Sequence, residues 1–114
     1  MAAVLTPKIY SVSELTAEVR ALLEDSFSGI WVEGELSNFR QPSSGHMYFT
    51  LKDQESQIQV VMFRMANRQL KFQPRDGLVM LLYGQLSVYE PRGQYQIVAE
   101  YMEPKGLGAL QLAF

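Results

Sequence analysis

A phenol and an ammonium sit two positions of alternation apart in "SGHMYFTLKD", where Ser44, His46, Tyr48, Thr50 and Lys52 fall on one side of a period-two pattern and Met47, Phe49 and Leu51 on the other. The second side is a core face. The first carries an imidazole, a ring and a cation where a merely solvated face more often shows Ser, Glu and Lys. A ring of that kind can stack on a nucleobase, a contact worth about 1–3 kcal/mol and indifferent to which base it is, while the cation beside it neutralises a phosphate. In "QIQVVMFR" the same period turns Ile58, Val60 and Met62 inward and Gln57, Gln59, Val61 and Phe63 outward. Gln59 then becomes a hydrogen-bonding neighbour of Tyr48, and Arg64 adds a cation at the end of the run. Phe63 is either a second platform or a ring packed under the segment that follows.

Two connecting segments extend the set. "NFRQPSSGH" carries Phe39, Arg40 and His46 among polar residues, and "VYEPRGQY" brings Tyr89, Arg92 and Tyr95 to a hairpin tip. Tyr95 has a second reading, as the start of the last strand with its ring inward. Rings interleaved with cations are what single-strand binding requires.

Catalysis is a poorer fit. Glu33 and Glu35 share a strand face and could approach a magnesium ion, but two exposed glutamates on a strand are more often a solvated face. His46, the single histidine, has no nucleophile partner in an elbow motif. With no cysteine, thiolate metal sites and disulfides are excluded, and so is any multi-histidine site. Asp53 and Glu55 lie in a turn, where local hydrogen bonding favours them. No P-loop or dinucleotide fingerprint occurs. The sequence predicts no catalytic residue, metal or cofactor within this chain.

The elements that must position these residues follow from periodicity. "YSVSELTAEVRALLEDSF" has Val12, Leu15, Val19, Leu22 and Leu23 at helical spacing, with Ser11 and Glu14 placed as a capping box. "IWVEGELSNF" alternates, with Val32, Gly34 and Leu36 inward. After the loop "RQPSSG" come the second strand, the turn "DQES" and the third strand. "MANRQLKF" suits two helical turns, and "LVMLLYGQLSVYE" and "QYQIVAEYM" are two more strands joined by "PRG". Gly34 and Gly84 fall where strands would bend. Helix, three strands, short helix and two strands is the order of the OB-fold, a mainly β, five-stranded Greek-key barrel; its second and third strands and 1-2 and 4-5 loops bind oligonucleotides or oligosaccharides. On this reading both loops gather at one barrel mouth. Residues 1–28 form an N-terminal extension and helix, 29–104 the barrel, and 105–114 the start of a linker.

At 114 residues and 47% hydrophobic, the chain suffices for one domain with its own core. It has neither an apolar run of membrane-spanning length nor a signal peptide, so the sequence predicts a cytoplasmic protein without membrane contact. The net charge of −2 conceals a division. Residues 1–35 hold two cations against six carboxylates, whereas residues 36–99 hold seven against four. Phosphate responds to the local field, so the acidic total argues little against nucleic acid.

The blocks "GELSNF", "SGHMYFTLKD" and "YEPRGQYQ", with "YSVSELTAEVRALLE" and "VMFR", closely resemble the N-terminal domains of bacterial exodeoxyribonuclease VII large subunits, over about Ile9 to Gly108. The resemblance implies an OB-fold that holds single-stranded DNA for a nuclease region further along a longer chain. It also implies partnership with several copies of a small subunit, in an enzyme that cuts single strands from either end into oligonucleotides. The nuclease residues would lie outside these 114 residues, so the chain alone would not be an enzyme. "MYFTLKDQESQIQVVMF" is similar to the barrel core of class II aminoacyl-tRNA synthetase anticodon-binding domains, where an aromatic on strand two stacks and a glutamine on strand three reads the base; Tyr48 and Gln59 match those positions. A tRNA-type or generic single-strand binder is therefore the second reading, and a protein-interaction barrel the third.

Overall fold

The computed structural model describes residues 6–106. Helix α1 (Val12–Ser26) precedes strands β1 (Ile30–Arg40), β2 (Met47–Lys52) and β3 (Gln57–Met62), a single-turn helix α2 (Arg64–Asn67), and strands β4 (Val79–Tyr89) and β5 (Gln94–Pro104). The strands close a barrel in the order β1-β2-β3-β5-β4, with β4 returning to β1. All pairings are antiparallel except β3 with β5. This is the mainly β barrel, with its N-terminal and inserted helices, that the element order predicts. The tail expected as a linker lies largely outside the described residues. No helix among them is long and apolar enough to cross a membrane.

Alternation decides the interior. Leu36, Phe49, Met62, Met80, Leu82, Ile97 and Met102 are fully buried, each removing enough apolar surface from water to contribute about 1.5–3 kcal/mol before entropy is counted. Closing so small a barrel needs sharp bends. At Gly84 a Cβ would stand 2.2 Å from the Val98 carbonyl oxygen, and the β4–β5 register shifts there. Only glycine permits that backbone approach. A second irregularity falls between Ser37 and Arg40, where Asn38 adopts φ 54°. Asparagine tolerates that left-handed conformation better than most residues. The bulge keeps Arg40 within β1, whereas the sequence predicts the loop to begin there, and it holds Phe39, placed by the sequence at the junction of strand and loop, inside the strand.

Helix α1 forms where its cap predicts it. The Ser11 hydroxyl accepts from the Glu14 N–H at 3.1 Å, and the Ser11 N–H donates to the Glu14 carboxylate at 2.8 Å. Its apolar stripe is largely uncovered: Val12, Leu15, Val19 and Leu22 are exposed, Leu23 is half-buried, and the helix fully buries no residue. Polar contacts dock it instead. The Ser87 hydroxyl donates to Glu24 at 2.6 Å, the Leu86 N–H donates to the Phe27 carbonyl at 2.9 Å, and Arg20 bridges Glu24 and Glu90. α2 is shorter than the two turns predicted, because the helix ends at Asn67; Phe63, placed at the end of a strand by its alternation, is the N-cap residue of α2.

Candidate nucleic-acid interface

Strand register places the outward side chains in rows across the barrel wall. One row runs Arg40, Tyr48, Val61, Val98, Gln85; the next runs Ser37, Thr50, Gln59, Gln96, Ser87. Tyr48 is half-buried, with the Arg40 guanidinium 5.6 Å from its ring centroid. Val61, between Tyr48 and Val98, is buried although it faces outward. Gln59 lies opposite Thr50 rather than Tyr48, and its amide donates to the Thr50 hydroxyl at 3.0 Å, which differs from the direct Tyr48 neighbour that spacing suggests. That bond fixes the amide plane one row below the ring. Lys52 closes the strand, exposed and paired with Gln57.

At the α2 end of this face, Phe63 is 45% exposed and meets His46 edge-on, with centroids 5.3 Å apart. It therefore does not pack beneath α2. His46 has a local duty: its Nδ1 accepts the Arg64 backbone N–H at 3.0 Å, satisfying one of the donors a helix leaves free at its start. Phe39 has turned away from the surface. Its ring is half-buried, 6.3 Å from Phe49 and packed against the core, because its position on β1 shares the inward side once the bulge has shifted the alternation.

The two loops do not share a mouth. The start of β2 pairs with the end of β3 (Met47 opposite Met62), which puts the β1–β2 loop at the α2 end. β5 begins beside the start of β3, since Gln59 pairs with Gln96, so the β4–β5 hairpin lies at the other end. The loops thus bracket the face along β2 and β3. At the hairpin end Tyr89 is 49% exposed and lines an open groove of about 380 Å³ with Phe63, Gln96 and Val98, whose far side carries Arg20 paired with Glu24 and Glu90. Arg92 is exposed in the 3₁₀ turn Glu90–Arg92, which ends on Gly93 at φ 59°. Tyr95 departs from the set. It shares the parity of buried Ile97 and lines a recess at the barrel end with Val32, Leu51 and Ile58, so it does not face the Tyr48 row. Gln85 and Gln96, by contrast, lie on the face although the sequence reading passes over them. Strand parity combined with the 3-5-4 order would have found them.

Charge follows the same division. Arg20 and Lys105 are the cations in ion pairs among the described residues, the latter with Glu33 at 3.0 Å. Arg40, Lys52, Arg64 and Arg92 pair with no carboxylate there. The Ser87 hydroxyl and then the Arg20 guanidinium hold the Glu24 carboxyl below its usual range. Two backbone N–H groups, of Glu55 and Ser56, do the same for Asp53, which fixes the β2–β3 turn. No group of three His, Cys, Asp or Glu among the described residues is placed to hold a metal ion. Trp31 is 47% exposed on the outer side of β1, against Tyr83 at 5.1 Å and Tyr101 at 6.1 Å.

A closed five-stranded barrel with unpaired cations and rings along one wall is the build of a nucleic-acid-binding module, and the chain belongs to the family of OB-fold nucleic acid binding domains, whose model matches residues 10–103. Within that class it is similar to particular proteins. The exodeoxyribonuclease 7 large subunit of Geobacter sulfurreducens is 55% identical over 107 residues, which is 94% of this chain and 24% of that protein. That of Geotalea daltonii is 58% identical over 106 residues, 93% of this chain and 24% of that protein. The chain thus spans about a quarter of the length of these relatives. Among solved structures, a chain of a replication protein A heterotrimer bound to ssDNA matches with a TM-score of 0.57 at 14% identity, over 75% of this chain and 64% of that one. At that identity the likeness is one of fold.

Proposed function

We propose that this domain holds single-stranded DNA across the outer wall of β2, β3 and β5 and presents it to the nuclease region of a longer exodeoxyribonuclease VII large subunit. The observation that carries this reading is the half-buried Tyr48 ring with the Arg40 guanidinium over it, in a row of Arg40, Tyr48, Val61 and Val98 that bears no carboxylate. A base arriving at Tyr48 either displaces Arg40 toward its own phosphate or enters between the two planes. Giving up the cation–ring contact costs about 0.5–1 kcal/mol at an exposed site, less than the 1–3 kcal/mol that stacking returns, so the exchange favours binding. Gln59, held by Thr50, lies beside the stacked base. Phe63 and Tyr89 extend the platform toward its two ends, and Lys52, Arg64 and Arg92 meet phosphates, while His46 supports Phe63. Phe39, turned to the core, acts through packing, and Tyr95, 55% exposed at the barrel end beside Lys52, lies off the Tyr48 row.

In the full-length protein this surface would feed strands into exonucleolytic cleavage to oligonucleotides, with several small subunits as partners, in the cytoplasm. The test is a titration of the 114-residue chain with fluorescent oligo-dT and with duplex of the same length, repeated at two salt concentrations. Single strands should bind several times tighter than duplex, with little base preference. Equal affinity for both forms would leave charge alone and remove the stacking mechanism.

A further inference from the structure

Beyond the wall that carries Tyr48, an open cleft of about 450 Å³ separates the β1–β2 loop from α2 and the segment after it. Gln41, Gly45, Arg64, Asn67 and Arg68 are among its lining residues, together with apolar Phe72, and no carboxylate lines it. Arg64 and Arg68 are exposed and pair with no acidic side chain among the described residues. They stand four residues apart, and Arg68 continues the helical conformation of α2 at φ −70°, ψ −7°. Like charges at that spacing face one another and repel, an arrangement that is unfavourable until an anion lies between them.

The walls around the two guanidinium groups are braced. Asn67 is buried, and its amide donates both to the Gly45 carbonyl at 2.8 Å and to the Met62 carbonyl at 3.1 Å. The Gln41 amide donates to that same Gly45 carbonyl at 3.2 Å. The Arg64 stem crosses Gly45 so closely that a Cβ there would stand 2.9 Å from Arg64 Cδ, and the Arg64 N–H is held by His46. Loop and helix are therefore tied at the backbone while both guanidinium forks stay free. The planar fork matches the paired oxygens of a phosphate. His46 and Phe63, in edge contact, form the surface between this cleft and the Tyr48 row.

We propose that the Arg64–Arg68 cleft binds a further phosphodiester of the same single strand, so that a strand leaving the Tyr48 platform bends over the His46–Phe63 pair and continues along α2. The proposal rests on the single-strand reading above, and it adds Arg68 and the α2 cleft to the path. It makes affinity depend on strand length in a way the barrel wall alone does not.

The test compares oligo-dT of about four and about sixteen nucleotides, the ends of the range of OB-fold site sizes, on the parent chain, Arg68→Gln, Arg68→Glu and Tyr48→Ala. Arg68→Gln should weaken the long strand about fivefold and flatten its dependence of log affinity on log salt by about 0.7, the share of one neutralised single-strand phosphate, while the short strand binds Arg68→Gln as it binds the parent. Arg68→Glu should weaken the long strand further, and Tyr48→Ala should weaken both lengths. Arg68 is exposed and its side chain makes no hydrogen bond or ion pair among the described residues, and the melting of its variants, expected to match the parent, checks that folding is intact. The idea is overturned if Arg68→Glu binds the long strand like the parent, or if it weakens both lengths equally. Inorganic phosphate, titrated at constant ionic strength, probes the other source of this chemistry. Saturable binding of free phosphate that Arg68→Gln abolishes, with no length effect on DNA, would make the cleft an anion site unconnected to the strand. Failure of the parent to bind either length would instead sink the single-strand reading itself, and this proposal with it.

Discussion

Replacing Tyr48 by alanine separates stacking from charge, because the ring neutralises no phosphate and is only half-buried. Truncation removes one base platform, so affinity for oligo-dT should fall by about 1–3 kcal/mol, roughly 5- to 150-fold. The slope of log affinity against log salt should stay where it is, since no counterion-releasing cation is removed. A correction of opposite sign enters from Arg40, whose guanidinium lies 5.6 Å from the ring centroid in the free protein. In the parent that contact, about 0.5–1 kcal/mol, must yield to the base, so the measured loss should sit toward the lower half of the range. Folding is the control. A fully buried aromatic loses about 3–5 kcal/mol of stability on truncation, and a half-buried one in the outer wall should lose less. Fluorescence anisotropy at three salt concentrations, with thermal melting alongside, gives affinity, slope and stability together. A Tyr48→Ala chain that melts like its parent and binds oligo-dT as tightly would refute the stacking argument; a slope that flattens with the ring would show that Tyr48 acts by positioning Arg40.

Charge variants should show the converse pattern: Lys52→Ala or Arg92→Ala lowers affinity modestly and flattens the salt slope by about 0.7 for each phosphate no longer neutralised, measured in the same titrations. Gly84→Ala drives a Cβ to 2.2 Å from the Val98 carbonyl oxygen, against backbone that cannot move aside, and should cost about 3 kcal/mol, lowering the melting temperature by more than about 10 °C. The Glu24 carboxyl has a folded pKa below its unfolded value, so its contribution is present above the ordinary carboxylate range and is lost as pH falls through the lower, folded value; the loss of α1 docking should appear below the ordinary carboxylate range, and Glu24→Gln should remove that acid step from a pH titration followed by helix circular dichroism. The isolated chain should release no acid-soluble nucleotide from single-stranded DNA with or without magnesium; release abolished by Glu33→Ala or Glu35→Ala would contradict this.

The barrel is legible in the sequence because each strand keeps its alternation long enough to define an inner set. Met47, Phe49 and Leu51 on one strand and Ile58, Val60 and Met62 on the next suffice for two adjacent walls. Tyr48, Lys52 and Gln59 follow at once, since the outward set is the complement of the inward one. Period two fails where the backbone breaks it. One residue at φ 54° turns Phe39 to the core and keeps Arg40 above Tyr48, and nothing in "NFRQ" distinguishes that bulge from the start of a loop. The ends of the barrel are equally opaque to local pattern. Whether two loops meet or stand apart depends on the parallel pairing of β3 with β5, a long-range fact, and the shared-mouth arrangement of Arg40 and Arg92 fails for that reason. The apolar stripe of α1 is legible as a helix, but its spacing says which residues share a face and not whether anything covers it.

The parallel ladder between β3 and β5 is also the seam that closes the barrel, and its register spans three pairs, from Gln59 with Gln96 to Val61 with Val98, against ten between β4 and β5. Short ladders open first, so native-state hydrogen exchange should enter the barrel here, at free energies below that of global unfolding. The Tyr48 and Gln59 rows cross this same seam. A strand laid along them would bridge β2, β3 and β5 from outside and oppose the opening, adding to stability by mass action about 2.7 kcal/mol at a hundredfold excess over its dissociation constant. Slowed exchange confined to the amides of β3 and β5 would then map the bound strand without any substitution at all, at the seam where the barrel closes.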